Sequence, residues 1–174
     1  MSKLTDLSAA YEAVRKKFMT DAQASLKEAF KEVFDKFPSI TAFVWTQYTP
    51  YFNDGEPCEF SVGEVYFTNL PADKLGELSS YGEYEGEEEV FQQYGTVPRT
   101  AEYYVCSNVR STHYKTGEPT YPASFDGVDT EVLQDLLSAL NSGTFKDVLL
   151  GCFGDHVRIL ATPNGFDVED HDHD

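Results

Sequence analysis

Apolar residues recur at three- and four-residue steps through the first 37 residues, which predicts a helical segment. The first apolar stripe is Leu4, Leu7, Tyr11, Val14 and Phe18, and the second is Ala22, Leu26, Ala29, Phe30, Val33 and Phe37. Thr20 to Gln23 has capping-box spacing, so the segment is either two helices with a break near Thr20 or one helix whose stripe shifts. Either stripe could face a partner helix, although packing on the chain's own sheet is the favoured interpretation. Pro38 ends the segment, because the residue before a proline is pushed out of the helical region.

Alternating β-branched and aromatic residues predict strands at 39–48 and 59–68, joined as a hairpin. The first strand is apolar on both faces, which predicts an interior position in a sheet. In the second strand the apolar side switches between Val62 and Val65, so Gly63 marks a predicted β-bulge. The tip carries the turn sequence Asn53-Asp54-Gly55. The expected faces of the first strand are Ile40, Ala42, Val44 and Tyr48 on one side, and Phe43 and Trp45 on the other.

The remaining pattern predicts a single α+β domain, with the N-terminal helical segment packed on a mainly antiparallel sheet and an irregular middle insertion. A strand is expected around Tyr103 to Val109. A helix capped by Asp129 or Thr130 is expected to end at Gly143, and Asn164-Gly165 predicts a last hairpin turn. The predicted segments of residues 1–174 are a helical segment (1–37), an aromatic hairpin (38–70), an irregular acidic and Tyr-rich insertion (71–127), a helix plus C-terminal hairpin (128–168) and a loose tail (169–174).

Negative charge dominates the chain beyond its helical start. The sequence holds 13 basic and 30 acidic residues. Residues 38–174 carry six of the basic residues and 24 of the acidic ones. That field opposes direct binding to nucleic acid or to an anionic membrane, and it attracts a basic protein. No apolar run is long enough to span a membrane. The three cysteines, Cys58, Cys106 and Cys152, fit neither a disulfide framework nor a metal knuckle, which favours a reducing cytoplasm.

Two stretches predict a binding site that combines aromatic anchors with carboxylates. One is the hairpin tip, whose aromatic residues either form a recognition patch or fold back over the hairpin. The other is the glutamate-rich run that follows residue 80. Alternate carboxylates in an extended chain lie at most about 7 Å apart, a spacing compatible with imitation of a nucleic-acid phosphate row. The predicted binding residues are Tyr51, Phe52, Asp54 and Glu56 in the tip, and Tyr81, Glu83, Tyr84, Glu85, Glu87, Glu88 and Glu89 in the run.

The sequence carries no recognised catalytic or metal-binding signature. The four histidines have no metal-ligand spacing, and no phosphate-binding glycine loop or nucleophile elbow occurs. Cys106 with His113, or Cys152 with His156, could form a thiol–imidazole pair, but no activating motif surrounds either. We therefore expect a protein that is not an enzyme and that uses neither a cofactor nor a metal.

The run FVWTQYTPYFNDGEPCEF, within residues 43–67, resembles uncharacterised small acidic proteins of tailed bacteriophages. The resemblance implies action in the cytosol of an infected bacterium, where such proteins are often inhibitors of host machinery or antiviral defence. Our leading hypothesis is a non-enzymatic acidic protein that occupies a basic surface of a host or defence protein; in its sharper form, that surface normally binds nucleic acid. One alternative is a small-molecule-binding or catalytic domain with a pocket lined by Trp45, Tyr103 and His113. Another is a structural homo-oligomer assembled through the N-terminal stripe.

Overall fold

The computed structural model describes residues 3–52, 54–79, 81–86, 90–92, 102–109, 111–112, 119–120, 125 and 127–172. This part of the chain contains three α-helices: α1 (Lys3–Lys36), α2 (Glu131–Asn141) and α3 (Lys146–Phe153). A 3₁₀ helix spans Ala72–Glu77. The strands are β1 (Ala42–Tyr48), β2 (Ser61–Val62), β3 (Tyr66–Thr68), β4 (Val90–Gln92), β5 (Tyr103–Cys106), β6 (Ser111–Thr112), β7 (Pro119–Thr120), β8 (Val157–Thr162) and β9 (Gly165–Asp170).

The main sheet has α1 on one face and confirms the predicted α+β class. Within the described residues its strands pair in the order β4-β5-β3-β1-β8-β9, and the short β2 also pairs with β1. Every pairing in this sheet is antiparallel except β4 with β5. Strands β6 and β7 form a separate antiparallel pair.

The return strand of the hairpin is interrupted by the predicted bulge. Gln47 pairs with Val62 and Val44 pairs with Tyr66, so residues 63–65 face only residues 45–46 of β1. The Gly63 amide donates a 2.7 Å hydrogen bond to the Thr46 carbonyl oxygen. A Cβ at position 63 would lie 2.9 Å from the Thr46 hydroxyl oxygen, so glycine permits this close approach. Because of the bulge, Val62 before it and Val65 after it both face the helix-side core.

Apolar side chains are buried on both faces of the sheet, and β1 is an interior strand as predicted. The helix-side core contains Phe30, Phe43 and Trp45, whereas the opposite core contains Ala42 and Val44. Ile40 belongs to the helix-side core, not to the face of Ala42, because it precedes the start of β1.

The middle segment contributes both a strand and apolar side chains to the fold. Strand β5 occupies an interior position of the main sheet. Leu75 and Leu78, in and after the 3₁₀ helix, pack against Ala42 and Val44. Because β1 is apolar on both faces, its second face needs a cover, and among the described residues Leu75 and Leu78 contribute to it.

Helix α1 runs without a break from Lys3 to Lys36, which decides between the two interpretations of its stripes. The Thr20 hydroxyl donates to the carbonyl oxygen of Lys16 at 3.0 Å instead of capping a new helix. Only the second half of the helix contributes buried residues, with Leu26, Phe30 and Val33 among them. Among the described residues, no helix combines the length and the apolar character that a membrane span requires.

Residues 169–171 of the predicted loose tail (169–174) are held against the sheet, while residues 173 and 174 lie outside the described residues. Strand β9 continues through Asp170, and the His171 amide donates a 2.8 Å hydrogen bond to the His156 carbonyl oxygen. The His171 side chain is buried. Pairing with β8 supplies the backbone partners that hold these polar residues in place.

Candidate functional site

A row of aromatic and imidazole side chains crosses the end of the sheet. Gln47 pairs with Val157, and Val157 pairs with Asp170, so Tyr48, His156 and His171 are the next residues at this end of the three strands. His171 contacts Tyr81, three residues after Leu78, and Leu78 packs in the core on the side of the sheet opposite α1. This end of the row therefore lies toward the face opposite α1.

Ring contacts join this row to the hairpin tip and to the loop after the 3₁₀ helix. Tyr51 stacks on His156 with ring centroids 4.9 Å apart and planes 11° apart. His171 lies against Tyr48 at 5.7 Å and against Tyr81 at 6.1 Å. These five residues, together with Phe52 beside Tyr51, are called the aromatic–histidine surface below. The surface therefore unites the two stretches that the sequence predicted separately.

Asp155 holds the hairpin tip against the start of β8. Its carboxylate accepts hydrogen bonds from the Thr49 amide at 2.8 Å and from the Thr49 hydroxyl at 2.7 Å. The same carboxylate accepts the His156 amide at 2.9 Å. Burial pushes the pKa of Asp155 upward, but the hydrogen bonds from Thr49 and His156 outweigh that effect and lower it.

His156 occupies an unusual backbone conformation, with φ at 56°. A non-glycine residue in this left-handed region carries strain that the surrounding structure must outweigh. Here the His156 carbonyl binds the His171 amide, its own amide binds Asp155, and its ring lies under Tyr51. The conformation turns the imidazole toward the aromatic–histidine surface.

Gln47 anchors this end of the sheet to the helix layer. Its side-chain amide is fully buried and donates to the carbonyl oxygens of Leu149 at 3.1 Å and Gly154 at 2.6 Å. The Trp45 indole donates to its oxygen at 3.4 Å. Because Gly154 immediately precedes Asp155, the Gln47 amide positions the turn that carries the site.

A compact loop presents the first acidic residues of the glutamate-rich run. The Ser79 hydroxyl accepts the amides of Tyr81 at 3.2 Å and Glu83 at 3.0 Å. Arg158 of β8 ties the loop to the sheet, donating to the Leu78 carbonyl oxygen at 2.8 Å and to the Glu169 carboxylate at 3.0 Å. The side chains of Glu83 and Glu85 are exposed.

The predicted binding residues divide into three groups. Tyr51, Phe52 and Tyr81 are exposed by 67%, 79% and 59%, so the tip does not fold back over the hairpin. Tyr84 was predicted as an aromatic anchor, but it is buried with Leu75 and Leu78, because its position bridges back to Leu78. The exposed acidic members are Asp54, Glu56, Glu83 and Glu85, while Glu87, Glu88 and Glu89 lie outside the described residues.

Sequence reasoning missed the residues that assemble this surface. His156 and His171 carried no motif, and His171 was assigned to a loose tail. Their juxtaposition depends on the pairing of β8 with both β1 and β9. The available signal was the hairpin turn expected at Asn164-Gly165, but the turn lies one residue earlier, at Pro163-Asn164. Thr162 therefore pairs with Gly165, and the same register places His156 opposite His171.

The described residues give little support to cysteine chemistry. Burial raises the pKa of the Cys106 thiol to about 12, and it also raises the pKa of Cys152. A raised pKa disfavours the reactive thiolate. Among the described residues no group of three metal-ligating side chains occurs. Trp45 is fully buried against Phe30 and Phe153, so it does not line the pocket expected of a small-molecule site, and His113 lies outside the described residues.

Comparisons of the chain with protein-family models, curated proteins and solved structures found no match. The assignment of function therefore starts from the geometry and charge of the aromatic–histidine surface.

Proposed function

We propose that this chain is a non-enzymatic acidic binding protein that docks its aromatic–histidine surface on a basic surface of another protein. One observation carries the proposal. Exposed tyrosines from two distant segments, Tyr51 and Tyr81, lie against His156 and His171 respectively, and the backbones of these histidines are hydrogen-bonded, on a molecule of net charge −17. Clustered exposed aromatic rings are typical of the centre of a protein interface.

The two kinds of side chain have complementary roles in such an interface. Tyrosine rings give a large contact area at low conformational-entropy cost, and they accept an arginine guanidinium on their faces. Nearby carboxylates at Asp54, Glu56, Glu83 and Glu85 attract that cation from a distance and can pair with it. A partner that presents arginines beside apolar side chains fits both features.

The narrower form of the proposal is inhibition by imitation of nucleic acid. Glu83 and Glu85 occupy alternate exposed positions in the loop. In an extended chain such carboxylates lie at most about 7 Å apart, a spacing compatible with a partner site that binds successive phosphates of a nucleic acid. A bacteriophage protein that blocks a host or antiviral-defence protein is the biological setting that we propose for this activity. The competing small-molecule interpretation is less well supported, because Trp45 lies in the core.

The proposal is tested by capturing a partner from bacterial lysate with four immobilised baits. These are the wild type, a tyrosine variant (Tyr51→Ser with Tyr81→Ser), a loop-charge variant (Glu83→Gln with Glu85→Gln) and a matched charge control on α1 (Glu28→Gln with Glu32→Gln). All substituted side chains are exposed, so each variant is expected to fold. The captured protein is then purified and titrated against each bait.

We expect a basic protein that binds the wild type and the α1 control equally. The tyrosine variant should raise its Kd by at least about tenfold, the effect of losing interface hot spots. The loop-charge variant should slow association and flatten its dependence on salt. Equal Kd values for the wild type and the tyrosine variant would overturn the proposed site. If the loop-charge variant and the α1 control lost affinity equally, the partner would be attracted by the net charge of the chain and not by the loop carboxylates.

A further inference from the structure

The first half of α1 presents a long apolar stripe to solvent. Its large side chains are exposed by between 54% and 77%. Their spacing alternates three and four residues, the repeat that lets one helix pair with another along a continuous seam. The members of this stripe, called the α1 stripe below, are Leu4, Leu7, Tyr11, Val14 and Phe18.

The α1 stripe leads into an apolar groove between the three helices. The groove has a volume of about 320 Å³, and Phe18 lines its edge. Beyond Phe18 the stripe shifts by one position to Ala22 and Leu26, which line the groove from α1. Other lining residues are Leu136 and Leu140 of α2, and Phe145 and Val148 beside and within α3. Stripe and groove thus form one continuous apolar surface with a ridge at one end and a concavity at the other.

We propose that this surface binds a second copy of the chain, with the two α1 helices antiparallel. In this arrangement Leu7 lies opposite Phe18 of the second copy, and Tyr11 lies opposite Val14. Leu4 then lies opposite Asp21 of the second copy, one residue before Ala22 at the mouth of that copy's groove. A two-fold axis repeats each contact, so the α1 stripe of each copy packs toward the groove of the other and the dimer is closed.

The charges beside the α1 stripe suit this register. The α1 positions that border the stripe on either side hold only basic or neutral residues: Lys3, Ser8, Ala10, Arg15 and Lys17. In the antiparallel register Lys17 lies opposite Ala10 of the second copy, Arg15 opposite Ser8 and Lys3 opposite Ala24. No like charges from the two α1 helices therefore lie opposite each other at these flanking positions.

The charge of the whole chain selects the antiparallel orientation. Residues 1–20 hold four basic and two acidic side chains, so the remaining residues hold nine basic and 28 acidic side chains. The first part is therefore net +2 and the remainder net −19. An antiparallel pair keeps the two acidic bodies at opposite ends and brings each basic arm toward the other copy's acidic body. A parallel pair would place both acidic bodies side by side, where they repel.

The size of the surface is consistent with a reversible dimer. Five large side chains at these exposures present on the order of 500–600 Å² per copy, so pairing would bury about 1,000–1,200 Å², the lower end of specific interfaces. The dimer should therefore form at micromolar concentration and dissociate on dilution.

The test measures oligomeric state by light scattering and sedimentation with two matched variants. Leu7→Glu places a carboxylate in the seam, whereas Ala9→Glu places the same charge on the opposite face of the same helix turn. Both positions are exposed in the single chain, so neither change perturbs its core. We expect wild type and Ala9→Glu to dimerise with similar Kd, and Leu7→Glu to raise the Kd by at least about 100-fold. A monomeric wild type, or a dimer that Leu7→Glu leaves intact, would overturn the proposal.

Orientation is read by disulfide formation in a Cys58→Ser background, which removes the exposed native thiol. One preparation carries Leu7→Cys and another carries Phe18→Cys. Antiparallel pairing predicts a cross-link between the two preparations when they are mixed, and none within the Leu7→Cys preparation alone. A cross-link within Leu7→Cys alone would show parallel pairing and would reject the proposed register.

Discussion

Asp155 is the side chain on which the order of the hairpin tip most directly depends. It accepts two hydrogen bonds from Thr49, at the base of the tip, and one from the amide of His156. His156 in turn supports the Tyr51 ring from a left-handed backbone conformation. A single carboxylate thus couples the tip to the row of residues at the end of the sheet, and its ionisation should be visible in stability.

We expect Asp155→Ala to lower the free energy of unfolding by about 1–2 kcal/mol at neutral pH, because charge-assisted hydrogen bonds are lost. Folding lowers the pKa of this carboxyl, so its stabilisation is fully present above the unfolded-state pKa of about 3.9 and disappears as pH falls through the folded-state pKa. Urea unfolding followed by Trp45 fluorescence should show a constant gap between wild type and variant from about pH 7 to pH 5, closing below about pH 4.

Thr49→Ala provides the control for this pH dependence. It removes the hydroxyl donor but keeps the amide donor, so the pH-dependent part of the stability should shrink without vanishing. A gap between wild type and Asp155→Ala that stays the same down to pH values well below the unfolded-state pKa would contradict the assigned hydrogen bonds.

At the scale of secondary-structure elements, β1 is the strand that contacts the helix layer, the middle segment and the neighbouring strands. Its Phe43 and Trp45 pack on α1, its Ala42 and Val44 pack on the middle segment, and its Gln47 binds the end of α3. The Gln47 amide is the only one of these contacts that is polar and buried. It links the strand to the turn before Asp155, so its loss should affect both stability and the aromatic–histidine surface.

We expect Gln47→Met to destabilise the fold by about 2–4 kcal/mol, because the carbonyl groups of Leu149 and Gly154 lose a buried donor while side-chain volume is kept. Calorimetry or urea unfolding measures the change. Gln23→Met is the matched control, since Gln23 donates to the Cys152 carbonyl oxygen at 2.9 Å from an exposed position. Its effect should stay within about 0.5 kcal/mol. Equal effects at the two positions would show that burial of the Gln47 amide contributes nothing.

Helix α1 illustrates how one element can serve two purposes along its length. Its second half buries Leu26, Phe30 and Val33 against the sheet, and this packing stabilises the helix as a whole. The α1 stripe in the first half remains available for the second copy that we propose. The Tyr81 end of the aromatic–histidine surface lies toward the opposite face of the sheet. A dimer would therefore carry two such surfaces, which can raise the apparent affinity for a partner with repeated basic sites.

At the scale of the whole molecule, the net charge of −17 opposes the compact state. Raising the ionic strength from about 0.01 M to about 0.15 M shortens the screening length from about 30 Å to about 8 Å. We expect Tm to rise by roughly 2–4 °C over this range, equivalent to about 1 kcal/mol for a chain of this size. Calorimetry in sodium chloride, with sucrose at matched osmolality as the uncharged control, measures the effect. A fall in Tm with salt would show that local ion pairs outweigh the global repulsion.

The sequence by itself determined the features that arise from neighbouring residues. The α+β class, the interior position of β1 and the bulge at Gly63 all follow from periodicity and from the few residues that tolerate special backbone geometry. These are short-range effects, so they are visible in a linear pattern.

Only the tertiary structure decided which distant residues meet. The capping-box spacing at Thr20 had two valid interpretations, and packing of one continuous helix on the sheet selected between them. Tyr84 and Tyr81 look alike in sequence, yet one is buried and the other is exposed, because strand pairing and the loop turn them to different sides. His156 and His171 became neighbours through β8–β9 pairing. Such contacts depend on long-range register, which local composition does not encode.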